Sequence, residues 1–148
     1  MLKMISLVRY RGDFKPITMA QLIEVKRKKK VPVYGGMIII VMTNEEDCYE
    51  PAIRHWHHKN SYLKGCDAVC LSNDSGNSRD YPVIFTNKIT PGIIAHEAKH
   101  IVNKIYKDLD IVLDRSNDEP ECYLLSYIVN RIWEVYLEFV KKQGDNKK

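Results

Sequence analysis

The chain has 148 residues, a formal net charge of +4, 45% apolar and 28% charged residues. That composition excludes disorder for the bulk of it, and the length fits one domain, 1–148, able to bury roughly two-thirds of its surface. The longest apolar stretch, Val33 to Met42, is about half a membrane span, and Lys3 breaks the opening apolar run where a secretory signal needs it whole, so a cytoplasmic protein with no membrane partner is expected.

In chain order, MLKMISLVRY alternates partly and predicts a strand. Thr18 to Lys29, with apolar Met19, Leu22, Ile23 and Val25 and Thr18 as N-cap, predicts a helix. The basic run Lys26 to Lys30 then reads as a solvated helix end, where cations suit the C-terminal dipole. Pro32 and Gly35-Gly36 break the chain, and Met37 to Thr43, rich in isoleucine and valine, predicts a buried central strand. Glu45 to Lys59 begins acidic and ends basic, which favours a short helix despite Pro51.

Cys66 to Ser72 predicts a strand with Cys66 and Cys70 on one side as small core residues, followed by the polar loop Asn73 to Asp80. Tyr81 to Thr86 predicts another strand, and Pro82 near its start favours an edge position. A helix then opens with Thr90 as N-cap and Pro91 in its first turn. A second begins around Asp118 to Pro120 and runs to about Lys141; Ile128, Ile132, Val135 and Phe139 along it read as a core stripe before a dimer seam. The order predicts an α+β fold, a twisted sheet of about four strands packed on these two helices. The four cysteines include no CxxC pair and read as reduced.

The segment with chemistry is His96-Glu97-Ala98-Lys99-His100. Histidines at i and i+4 stand one turn apart on one helix face, so both imidazoles can reach one metal ion. Glu97 can lean toward a coordinated water without ligating the metal, and a carboxylate there can accept the proton of that water. Ile94, Ala98, Ile101 and Ile105 form the stripe that would fix this helix against the sheet. Two imidazoles with a carboxylate favour zinc, with iron and manganese as the alternatives.

On these residues the sequence resembles the HExxH zincin metallopeptidases, in particular the compact glutamate-liganded gluzincins. Asn117-Asp118-Glu119-Pro120-Glu121-Cys122-Tyr123-Leu124 is similar to the NExxAYL-like segments of small phage-encoded HExxH proteins, and more weakly to the ExEA segment of the ImmA/IrrE peptidases. The resemblance implies a small zincin-like domain, Zn2+ held by His96, His100 and a glutamate on the next helix, Glu97 as general base, and a peptide or protein substrate. It also implies an edge strand before the active helix that binds substrate by strand addition, a role that falls to Tyr81 to Thr86. Glu119 matches the pattern's glutamate; Glu121 is the alternative third ligand, and with Asp118 it suits a capping box. Tyr123 and Tyr106 are candidate hydroxyl donors to a developing oxyanion, with packing as their other use. Asp108, Asp110 and Asp114 are unranked candidates to orient the histidines.

His55-Trp56-His57-His58 reads as a helix end before a second metal site, with Trp56 able to flank a cleft. Two other readings stand beside the hydrolase: a zincin-like metal-binding regulatory module without turnover, and a nucleic-acid-binding factor using Lys26 to Lys30. The modest charge argues against the last. Oligomeric state does not follow from the sequence.

Overall fold

The structure, a computed structural model, describes residues 21–59, 61–72, 78–86 and 88–147. The strand predicted at residues 1–10 and the Thr18 cap lie outside them. Four strands, β1 (Glu24–Lys30), β2 (Met37–Thr43), β3 (Ala68–Cys70) and β4 (Asp80–Phe85), join in one sheet of order β1-β2-β4-β3. β1 and β2 are antiparallel, β2 and β4 parallel, β3 and β4 antiparallel. Helix α1 (Tyr49–Trp56) covers one face of the sheet, and α2 (Pro91–Asp108) with α3 (Glu119–Asp145) covers the other.

β2 explains the layering. Its Ile38, Ile40 and Met42 pack on the side of α2 and α3, while Val41 packs on the side of α1 with Cys48, Ala52, Leu63 and Ile84. A strand buried on both faces has no polar alternation, which is why MIIIVMT is a continuous apolar run. From the helix side, Ile94, Ala98, Ile101 and Ile105 of α2 and Leu124, Ile128, Ile132, Val135 and Phe139 of α3 complete the larger core. The α3 stripe is therefore core.

Three expectations change. The basic run belongs to a strand, because Lys30 to Glu24 pair residue by residue with Met37 to Thr43 across the turn at Pro32–Gly36. Strand alternation splits the run between faces: Arg27 pairs with Glu138 and Lys29 with Glu134 of α3, while Lys26 lies over Trp56 of α1. Among the described residues no strand pairs with the other margin of β1, where the Glu24 carbonyl accepts from Lys142 Nζ at 2.8 Å, the Lys26 carbonyl from Arg27 at 2.8 Å and the Lys30 carbonyl from the Tyr127 hydroxyl at 2.9 Å.

Second, β4 is internal and the short β3 is the edge. Pro82 is tolerated there because its missing N–H would face Leu71, where β3 has just ended; the Pro82 carbonyl still accepts from Leu71 N at 2.9 Å. Third, Cys66 precedes the strand, so Cys70 packs with the α2 core and Cys66 with the α1 core. None of the four cysteines is in a disulfide. No helix among the described residues is long and apolar enough to cross a membrane.

Candidate metal centre

Helix α2 starts as its sequence requires. The Thr90 hydroxyl accepts from Ile93 N at 3.2 Å, and Pro91 fills the first position, where a missing N–H leaves nothing unsatisfied. With Ile94, Ala98, Ile101 and Ile105 turned to the core, the 100° step per residue carries His96 and His100 to the outer face. Their Nε2 atoms converge to 3.1 Å, with ring centroids 4.7 Å apart and planes at 81°. Glu97 is buried, its Oε1 4.0 Å from His96 Nε2. Among the described residues these three are the one histidine, cysteine and carboxylate group close enough to share a metal ion.

Glu97 turns toward the sheet edge. Its carboxylate faces the Cys70 N–H of β3. Burial raises its pKa above the usual value, against the pull of the His100 and His96 charges, the Cys70 hydrogen bond and Lys104. Lys104, two turns further along the same face of α2, donates to the Cys70 carbonyl at 3.1 Å and to Ser72 Oγ at 3.2 Å. The sequence reading missed Lys104; its spacing of seven from Glu97 was the available signal.

The two glutamates of α3 diverge. Glu119, exposed at the start of the helix, lines an apolar cavity of about 420 Å³ with Tyr34, Tyr123 and Tyr127. Glu121 turns toward α2 and is ion-paired with Lys99, one residue before His100. The expected capping box does not form: Asp118 has helical backbone angles and its side chain makes no cap hydrogen bond, so Glu121 is free of that use.

Tyr123 is largely exposed beside Glu119. Tyr106 is buried, its ring 5.9 Å from that of Tyr34; burial and the Tyr34 hydroxyl push its pKa up to about 12. Asp108 faces the Tyr81 hydroxyl and Asp114 accepts from Ser116 N at 2.8 Å. Among the described residues no hydrogen bond joins Asp108, Asp110 or Asp114 to either imidazole.

The histidine cluster after α1 is a helix end. The helix stops at Trp56, His57 turns left-handed at φ 52°, and His55 Nε2 lies 2.9 Å from Glu24 Oε1. Trp56 packs across the sheet from α2, so it does not flank the imidazoles. Compared with protein families, curated proteins and solved structures, the chain matches none.

Proposed function

We propose that the protein is a zinc-dependent hydrolase, a small metallopeptidase with Glu97 as its general base. The observation that carries this reading is the convergence of His96 and His100 beside a buried carboxylate. Two nitrogens each bonded to one tetrahedral zinc stand about 3.3 Å apart, close to the 3.1 Å found here, so the spacing of the donor pair suits the ion. A bound zinc ion supplies Lewis acidity that brings a water toward ionisation at neutral pH and polarises a carbonyl.

The chain's own residues do the rest. His96 and His100 would hold the ion through Nε2, and the third protein ligand would come from the first turn of α3, as Glu119 or Glu121. Glu97 accepts a proton from the attacking water as its oxygen adds to the amide carbon, then passes that proton to the leaving nitrogen as the C–N bond breaks. Burial suits it to that exchange, because a carboxyl raised above its usual pKa returns a proton more readily near neutrality.

A second reading has one observation behind it. The 420 Å³ cavity at the start of α3 is lined by none of His96, Glu97 and His100. A metal-binding regulatory module without turnover needs no enclosed cleft.

Zinc content of wild type, His96→Ala and Glu97→Gln, measured with hydrolysis of a mixed peptide library, tests the proposal. We expect one zinc per chain in wild type and Glu97→Gln, none in His96→Ala, and cleavage by wild type alone. Zinc without cleavage supports the module; no zinc uptake by wild type refutes both.

A further inference from the structure

β3 is only three residues long, and Pro82 deprives its end of a return hydrogen bond from β4. The pairing Val69↔Ile84 leaves the N–H and carbonyl of Cys70 on the open margin of the strand. Neither is left for solvent. The N–H faces the Glu97 carboxylate, and the carbonyl accepts from Lys104 Nζ at 3.1 Å, which also donates to Ser72 Oγ at 3.2 Å. Glu97 and Lys104 both belong to α2 and share one of its faces, so a single rigid helix grips both polar groups of one strand residue.

We propose that Lys104 is a positioning residue: by tying the end of β3 to α2 it holds the Cys70 N–H on the Glu97 carboxylate and so fixes that carboxylate's orientation. Ammonium–carbonyl and amide–carboxylate bonds are both charge-assisted, roughly twice as strong as neutral ones, which lets two contacts stand in for the ladder that β3 lacks. The orientation matters because Glu97 carries two oxygens. Held against Cys70, the carboxylate keeps Oε1 4.0 Å from His96 Nε2. Among the described residues Lys104 makes no hydrogen bond to either imidazole, and it acts through Cys70. The assignment of purpose rests on the hydrolase reading; the tether itself does not.

Amide hydrogen exchange of the full chain, followed by NMR in metal-free buffer, tests the tether directly. Lys104→Met keeps the aliphatic stem and removes the donor; it should speed exchange of the Cys70 amide about tenfold or more while the central amides Ile40 and Val41 stay within about twofold. Lys104→Arg, which retains a cationic donor, should restore protection at Cys70. Glu97→Ala, which removes the acceptor itself, should match Lys104→Met at that amide. Unchanged Cys70 exchange in Lys104→Met overturns the proposal. Equal acceleration at Cys70, Ile40 and Val41 also overturns it, since Lys104 would then serve only overall stability. The readout needs neither zinc nor turnover, so its failure is separable from failure of the hydrolase reading.

Discussion

Glu121 of α3 is ion-paired with Lys99 of α2, one residue before His100. This pair engages the first-turn carboxylate that α3 turns toward α2. If Glu121 is the third ligand, zinc must draw it away from Lys99, and Lys99→Met should tighten zinc binding by up to about fivefold, the worth of a partly exposed ion pair. Glu121→Ala should then weaken binding by orders of magnitude. If Glu119 is the ligand instead, Lys99→Met leaves the affinity unchanged and Glu119→Ala removes it. Competition with a chromogenic chelator reads both.

Burying Glu97 has a signature in stability. Its carboxyl titrates above the ordinary 4.5, so between 4.5 and the raised value the folded chain binds more protons than the unfolded one. Stability therefore falls as pH rises through that window and stays lower above it. Glu97→Gln keeps the shape and loses the charge. In metal-free buffer it should melt higher than wild type at pH 7, with the advantage vanishing below about pH 4.5. An equal melting difference at every pH would show that charge burial is not the cause.

The turn between β1 and β2 contains opposed cases. Val33, fully exposed, sits at φ 65°, a left-handed conformation that a β-branched residue adopts at a cost of about 1–3 kcal/mol. Val33→Gly should raise stability by about 1 kcal/mol in urea unfolding. Gly36, at φ 89°, has no room for a methyl group, since a Cβ would lie 2.6 Å from the Arg79 carbonyl oxygen. Gly36→Ala should lower stability by at least as much as Val33→Gly raises it.

The two kinds of contact that α3 makes should differ sharply. Ile128 is fully buried, and truncating it to alanine should cost about 2–5 kcal/mol. Glu138, ion-paired with Arg27 but about two-fifths exposed, should cost less than about 1 kcal/mol on the same change. Thermal melting separates them, since each kcal/mol moves the midpoint of a domain this size by about 2–4 °C.

Sequence made the segments with strong periodicity or capping readable. β2 announced burial on both faces, α2 its start at Thr90-Pro91, and α3 its core stripe. The convergence of His96 and His100 follows from i, i+4 spacing alone. What failed depended on partners remote in the chain. Met19, Leu22, Ile23 and Val25 suit a helix face, but pairing with β2 made the following basic segment a strand. Pro82 suits an edge strand, yet it became internal because β3 ends opposite it. Asp118 and Glu121 have capping-box spacing, yet Asp118 makes no cap hydrogen bond and Glu121 pairs with Lys99 on another helix. The grip of Glu97 and Lys104 on Cys70 joins residues 27 and 34 positions apart, a relation no local pattern encodes.

The occupied carbonyls along β1 bear on how the protein behaves when crowded. An open sheet margin is a template on which another chain can lay a strand and begin an ordered aggregate. On β1, Lys142, Arg27 and Tyr127 already take three of the carbonyls that such a chain would need, and the lysines of that strand add repulsion. At the opposite margin Cys70 is taken by α2. Both borders of the sheet are thus guarded at these positions by side chains of the same molecule. Removing the Tyr127 hydroxyl or shortening Lys142 would therefore show its first effect in colloidal lifetime, ahead of any loss in melting temperature.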